Sequence, residues 1–346
     1  TVTATIEAGF ADALAGYDAR ARAAAAGYLG ADDLSAHLRG PAGDHLARAG
    51  KGLRPALLLA TAEAFGGTVD DGIASAAALE LLHTAFLVHD DVEDDSELRR
   101  GELTLHRRYG RGLAVNAGDG LAVVALAALR DNDQRLGRRL SARVWSEFDF
   151  MARQTVDGQA LELGWLREGR TDVTPDDYLD LIMKKTCWYT AVLPLRVGAL
   201  IGSRGSADLE PLVAFGFALG AAFQIRDDLL NLVGSPERYG KEPRGDLREG
   251  KRTLMLIHLL AAADASDRAR VETLLALEPL QRTPAVTAEM LALMHRYGSI
   301  AFADHFGRGI ASSAAAAFES AFAPAPASPA RTFVENLVPF MVDRDR

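Results

Sequence analysis

Two aspartate pairs, Asp90–Asp91 and Asp227–Asp228, each close an apolar, helix-forming run. Phe86-Leu87-Val88-His89 leads into the first and Phe223-Gln224-Ile225-Arg226 into the second. Late in a helix the dipole disfavours negative charge, whereas at a helix start the dipole and the free N–H groups favour it. Asp90 and Asp94 are four apart and share a helical face. With Asp91 and Asp95 beside them, the cluster raises its own pKa values unless a cation is present. Oxygen ligands with open positions suit Mg²⁺, which keeps waters and takes phosphate oxygens as remaining ligands. An acidic rim at the end of a greasy wall suits a molecule with an oily tail and an anionic head, joined through divalent metal. A solvated acidic turn is the plainer alternative for either motif alone; the pairing of the two argues against it.

Other aspartate pairs act as controls. Asp32-Asp33, Asp70-Asp71 and Asp176-Asp177 follow Gly-Ala, Thr-Val and Thr-Pro. Each is expected to open a helix as an N-cap or first-turn residue.

These residues need helices to position them. Helix formers dominate, alternating strand patterns are almost absent, and apolar residues recur at three- and four-residue spacings, as with Leu79, Leu82 and Phe86. Breaks fall at Gly66-Gly67, Gly110-Arg111-Gly112, Gly169 to Pro175, Gly202 to Gly205, Gly234 to Gly250 and Ala323 to Pro329. The expected architecture is all-α: a single domain over residues 1–346, a large helical bundle of about ten helices around a central cavity. The two Phe-x-[Val/Ile]-x-Asp-Asp segments read as echoes that face this cavity from two sides.

Composition narrows the function. With 346 residues, 49% hydrophobic and 25% charged, the chain can bury a large core. A net charge of −9 argues against nucleic acid as a partner. The single cysteine, Cys187, suits a reducing compartment. Thr1 to Leu29 spreads Glu7, Asp12, Asp18 and several arginines among alanines, an amphipathic helix rather than a signal peptide. The apolar run Leu113 to Leu129 is interrupted by Asn116 and Asp119, short of the ~20 apolar residues of a transmembrane segment. The expectation is a cytoplasmic protein without a transmembrane segment.

Further motifs occur in order along the chain: Gly50-Lys51-Gly52-Leu53-Arg54-Pro55, His83 seven residues before Asp90, Arg99-Arg100-Gly101, Ala117-Gly118-Asp119, Gly158-Gln159, Lys185-Thr186, Gly240-Lys241 and Asp246-Leu247-Arg248-Glu249-Gly250-Lys251. Together with both aspartate motifs they resemble the trans-isoprenyl diphosphate synthases, the polyprenyl synthetase family. In isolation Arg99-Arg100 reads as a basic helix end, Lys51 as a loop lysine and His83 as a core histidine; their joint order favours the resemblance. The tail through Val342-Asp343-Arg344 also looks familial.

The resemblance implies the isoprenoid synthase fold and head-to-tail condensation of isopentenyl diphosphate with an allylic diphosphate. It implies Mg²⁺, three ions with the substrate diphosphate, on Asp90, Asp91, Asp94, Asp227 and Asp228. Asp90, Asp94, Asp227, Lys185 and Arg99 are the implied catalytic residues. Lys185, Thr186, Gln224, Lys241, Lys251 and Arg99 would meet the allylic diphosphate. Lys51, Arg54, His83 and Arg100 would form a metal-free pocket for the isopentenyl diphosphate, where arginine suits bidentate phosphate binding. A homodimer is implied as well.

Two positions depart from the family pattern: Asn231 stands where many members carry a third aspartate, and Glu162 where an aspartate is usual. Phe223, Trp188 and Tyr189 read as packing. Product length in the family depends on residues about one turn before the first motif. Ala85 paired with Phe86 points to geranylgeranyl diphosphate, then farnesyl, then longer chains. Two rivals fit less well. A class I terpene cyclase would need a different second motif and has little use for Lys51, Arg54 and His83; a regulatory subunit typically loses one aspartate motif.

Overall fold

The computed structural model of the protein describes residues 2–31, 33–48, 50–234 and 244–342. Residues of strong helix propensity and three/four-residue apolar spacing form helices throughout. The first half runs α1 (Val2–Ala31), α2 (Ala36–Ala47), α3 (Leu53–Ala64), α4 (Val69–Glu93), α5 (Leu105–Tyr109), α6 (Arg111–Leu136) and α7 (Arg138–Glu168). Next come α8 (Pro175–Ile182), a π-helix (Met183–Val192) that continues it without a break, and α9 (Leu193–Gly202). The chain then passes through α10 (Glu210–Val233), α11 (Gly245–Glu249), α12 (Leu254–Ala262), α13 (Ala265–Leu275), a 3₁₀ turn (Pro279–Gln281), α14 (Pro284–Arg296), α15 (Ser299–Ala321) and α16 (Pro329–Val342). The described residues thus hold more helices than the expected ten. One- and two-turn segments such as α5 and α11 are too short to display a helical period, and α6 is parted from α7 only at Gly137, whose φ is 80°.

Two of the control pairs behave as ordinary helix starts. Thr68 and Asp71 close a capping box at α4, and Thr174 with Asp177 does the same at α8. Asp33 lies instead in the loop before α2, whose N-cap is Ser35, and Asp32 is outside the described residues.

Three apolar clusters pack the bundle. The first joins α1, α3, α4, α6, α7 and α9, with alanines 76–78, 85, 114, 117, 125 and 128 allowing α4 and α6 to approach closely. The second gathers the π-helix, α10 and α12 to α15, and the third gathers α3, α9, α10, α15 and α16. By length and composition both α4 and α6 could cross a membrane; 78% of the apolar window of α4 and 44% of that of α6 are buried inside the bundle. That corrects the sequence expectation, which tested only the α6 region and found it interrupted.

Strand structure among the described residues is a two-residue hairpin, Leu98–Arg99 against Glu102–Leu103, with Arg99 opposite Glu102. Its turn residues Arg100 and Gly101 both have positive φ, 55° and 78°. This is the backbone hand that a two-residue hairpin loop demands, and it sends Arg99 and Arg100 to different places.

Candidate active site

A cavity of about 1160 Å³ opens between α3, α4, α7, α8, the π-helix and α10. Helical spacing explains its walls. On α4, Glu80, His83, Leu87 and Asp90 recur at three- and four-residue steps along one face. The α8–π segment presents Tyr178, Ile182, Lys185 and Tyr189, and α7 presents Thr155, Gln159 and Glu162. From α10 come Phe223, Gln224, Asp227 and Asp228. The echo between the two aspartate motifs therefore has a spatial meaning: α4 and α10 bring them to one chamber.

The π-helix sets the lysine. A Cβ on Gly158 would fall 2.4 Å from the backbone nitrogen of Lys185, and one on Gly220 would fall 3.0 Å from Cys187. Glycine lets α7 and α10 close on this widened turn from both sides. Widened turns of this kind recur at functional sites.

At the acidic end, Lys185 Nζ pairs with Glu162 and lies 3.7 Å from Asp90 Oδ1. Lys251 Nζ donates to Asp94 Oδ2 at 2.7 Å and lies 2.8 Å from Glu249 Oε2. Neighbouring carboxylates hold both ammonium groups charged against the cost of burial. Burial, with Asp90 and Glu249 nearby, pushes the Asp94 carboxyl up to about 6 despite Lys251. Asp228 accepts from Tyr178 Oη at 2.8 Å and from Gln224 Nε2 at 2.6 Å. Burial raises it to about 7 despite these bonds, and Asp227 adds to the rise. Thr186 Oγ1 donates to Gln224 Oε1 at 3.1 Å, so that amide is held from both ends.

The five expected metal aspartates are not equivalent. Asp90 and Asp227 line the cavity. Asp91 is 1% exposed and is no part of the wall; its Oδ1 accepts from Arg99 Nε at 2.8 Å. Arg99 Nη2 also donates to Asp90 Oδ2 at 3.0 Å. Arg99 is buried yet lines the cavity beside Asp90, and Asp91 is its counter-charge rather than a ligand facing the chamber. Asp94 caps α4 beside Lys251, and Asp95 turns away to Arg107 and Arg111. Among the described residues no cluster of three or more His, Cys, Asp or Glu is arranged to hold a metal on its own. The donor set nevertheless fits Mg²⁺: carboxylate oxygens project from two sides of one chamber. An ion that brings phosphate oxygens and waters needs only one or two protein carboxylates.

At the opposite end the lining charges are Arg22, Lys51, Arg54 and Arg100, with the buried carboxylate of Glu80 among them. Arg54 Nη1 meets His83 Nε2 at 3.3 Å, and its Nη2 donates to Tyr189 Oη at 3.1 Å and Thr190 Oγ1 at 3.0 Å. The guanidinium lies 4.5 Å from the centre of the Tyr189 ring. Burial, then Arg54, keeps His83 neutral, its pKa well below the usual range. It is thus an acceptor that fixes Arg54. Arg100 Nη1 donates to the Arg48 carbonyl at 2.8 Å, and exposed Lys51 lines the mouth.

Several expectations need correction. Ala85 is 1% exposed and packs in the core, whereas Phe86 alone of that pair faces the cavity, edge-on to Tyr189 at 5.8 Å. Tyr189 belongs to the site rather than to packing alone, and Phe223 lines it too. Asn231 is 3% exposed, and its Oδ1 accepts from the backbone N of Asp246 at 3.2 Å, so it holds the first turn of α11. Lys241 lies outside the described residues, as do Asp343 and Arg344. Glu80, Glu162, Tyr178 and Tyr189 carry a sequence signal in retrospect, since each shares a helical face with a motif residue. Arg22, from α1, also lines the cavity, and no motif points to it.

The bundle, the paired aspartates and the lysines between them define a trans-prenyltransferase of the polyprenyl synthetase family, to which this chain belongs: the family profile matches residues 35–293. The chain is 37% identical over 264 residues to the short chain isoprenyl diphosphate synthase of Methanothermobacter thermautotrophicus, spanning 76% of this chain and 78% of that one. It is 30% identical over 311 residues to the geranylfarnesyl diphosphate synthase of Natronomonas pharaonis, covering 85% and 86%. Its fold is similar to the crystal structure of geranylgeranyl pyrophosphate synthetase from Pyrococcus horikoshii, with a TM-score of 0.85 at 30% identity over 98% and 99% of the two chains.

Proposed function

We propose that this prenyltransferase condenses isopentenyl diphosphate with an allylic diphosphate, with geranylgeranyl diphosphate as its main product. The observation that carries the reading is the division of one chamber into an aspartate–lysine end and an arginine-rich wall whose carboxylate is the buried Glu80. Asp90 and Asp227, with Asp94 behind, would hold Mg²⁺, three ions together with the allylic diphosphate. When bound, the metal supplies Lewis-acid stabilisation of the departing diphosphate. Lys185 and Lys251 add fixed positive charge at that end, where the developing negative charge needs it. Thr186 and Gln224 orient oxygen atoms beside them.

The other diphosphate stays on its substrate. Lys51, Arg54 and Arg100 would bind it without metal, with neutral His83 and Tyr189 steadying Arg54. The allylic C1–O bond breaks and its electron pair leaves with diphosphate. The isopentenyl double bond then supplies the electrons of the new bond from its C4 to the allylic C1. A proton lost from C2 of the isopentenyl unit restores a double bond, and the departing diphosphate is the base. Phe86, Leu87, Phe223 and the Tyr189 ring form an apolar wall that keeps water from the cation.

Phe86 against Tyr189 supports a finite tail pocket. The chamber, above the ~300–1,000 Å³ of ordinary small-molecule sites, supports a product beyond the shortest. With Ala85 turned into the core, Phe86 carries the length argument alone. The same reading takes the enzyme to be a cytoplasmic homodimer without a transmembrane segment. The test is to incubate it with Mg²⁺, isopentenyl diphosphate and each short allylic diphosphate, then to size the dephosphorylated alcohols. Geranylgeraniol is expected, with no turnover in EDTA. Farnesol alone would sink the length assignment, and no alcohol from any primer would sink the reaction.

A further inference from the structure

The arginine wall holds one cation that no motif includes. Arg22 lies on α1, outside the family-matched residues 35–293, and lines the cavity beside Gly50, Lys51, Glu80 and Arg100. Its guanidinium is anchored on two sides. Nε donates to Asp18 at 2.7 and 2.8 Å, and Nη1 donates to the carbonyl of Arg48 at 3.1 Å and, weakly, of Leu46 at 3.4 Å. The third nitrogen, Nη2, is buried and has no hydrogen-bond partner among the described residues. It lies 3.6 Å from Glu80 Oε1, beyond hydrogen-bond reach.

Arg100 arrives at the same spot from the hairpin. A Cβ on Gly50 would fall 2.5 Å from Arg100 Nη2 and 2.9 Å from Arg22 Nη2. Two guanidinium groups therefore converge over a glycine that leaves them room. Like charges this close repel, and a buried N–H without an acceptor is costly. Buried Glu80, 2% exposed, offsets part of the repulsion from beneath. A dianionic group above Gly50 would offset the rest and give Arg22 Nη2 its acceptor.

We propose that Arg22 binds the diphosphate of isopentenyl diphosphate together with Arg100, above the buried carboxylate of Glu80 that lies 3.6 Å from Arg22 Nη2. The inference rests on the assignment of the arginine wall to that substrate. It makes the N-terminal helix part of the active site rather than a packing element. It also gives Gly50 of the Gly-Lys motif a reason: any side chain there would occupy the space where the guanidinium groups meet.

Steady-state kinetics of Arg22→Met, beside Arg54→Ala as the reference for the wall, tests this. Methionine keeps the apolar stem. The expected result is a rise of about tenfold in KM for isopentenyl diphosphate, the loss typical of one charge-assisted bond. KM for the allylic substrate should stay within about twofold. If Arg54→Ala raises the isopentenyl KM and Arg22→Met does not, the role of Arg22 is overturned. A rise confined to the allylic KM overturns it too. If neither variant moves the isopentenyl KM, the wall itself has been misassigned. Should Arg22→Met fail to fold, Arg22→Lys keeps charge and stem but cannot fork between its anchors and the substrate. An unchanged isopentenyl KM in that variant also overturns the proposal.

Discussion

Aspartates one residue apart on α4 have opposite tasks. Asp90 lines the chamber, while Asp91 accepts two nitrogens of buried Arg99. Removing each should therefore fail differently. Asp90→Ala and Asp227→Ala are expected to keep the fold and lose turnover by at least about 10²-fold, as when transition-state charge stabilisation is withdrawn. Asp91→Ala leaves Arg99 under-compensated in a buried place and should cost about 3 kcal/mol of stability. Urea unfolding beside turnover measurements on the three variants checks the division. An Asp91→Ala enzyme as stable as the parent would contradict it. The aspartates were legible because acids late in apolar helices are unusual. Their separate roles were not, since adjacent helical residues point about 100° apart and only the fold decides which direction meets the cavity.

At the scale of elements, the α8–π–α9 segment carries Lys185, Thr186 and Tyr189 and is clasped by glycines of its neighbours. Gly158 is the tightest of these contacts, with a virtual Cβ 2.4 Å from Lys185 N and 2.7 Å from its Cα. Gly158→Ala must push backbone against backbone, a strain that typically costs about 1–3 kcal/mol. We expect a lower urea midpoint with turnover reduced as well, because Lys185 moves with its helix. Unaltered stability and kinetics would show that α7 and the π-helix are free to part. The Gly158-Gln159 and Lys185-Thr186 motifs were both visible in sequence. That one exists to seat the other was not, because they belong to different helices 27 residues apart. The hairpin offers a parallel case: Arg99 and Arg100 are adjacent letters, yet its left-handed turn sends one to Asp90 and Asp91 and the other to Gly50.

Two properties belong to the whole molecule. His45 is fully buried, and burial, then Arg48 and Arg100, lowers its pKa to about 3. The folded chain thus refuses a proton that the unfolded chain accepts near 6.5. The contribution is greatest above pH 6.5, and stability falls as pH drops from there toward 3. In His45→Leu the difference in unfolding free energy between pH 7 and pH 5 should shrink by about 2 kcal/mol; an unchanged difference would mean that His45 is protonated in the fold. The second property is a band of exposed apolar side chains on α6 and α7: Val123 at 64%, Leu126 and Phe150 at 46% and Trp145 at 44%. A surface of this kind asks for a partner, and a symmetric second copy is the simplest. The proposed dimer should sediment at about twice 37.0 kDa, and Val123→Glu with Leu126→Glu should halve that mass. A wild-type monomer would rule the dimer out.

Local chemistry determined much of this protein from sequence alone. Period and propensity specify helices, because that signal is written within a few residues, and the two Asp-Asp motifs with their ordered lysines and arginines carry the resemblance to the family through their order along the chain. What tertiary structure decided is which side chains converge across helices. It separated Asp90 from Asp91, turned Ala85 into the core while leaving Phe86 in the cavity, and gave Asn231 the first turn of α11 to hold. It also set Tyr189 under Arg54, Glu162 on Lys185, and Arg22 beside Arg100. Those relations depend on the rotation and approach of helices fixed by alanine and glycine contacts far along the chain, and no local window of sequence contains both partners.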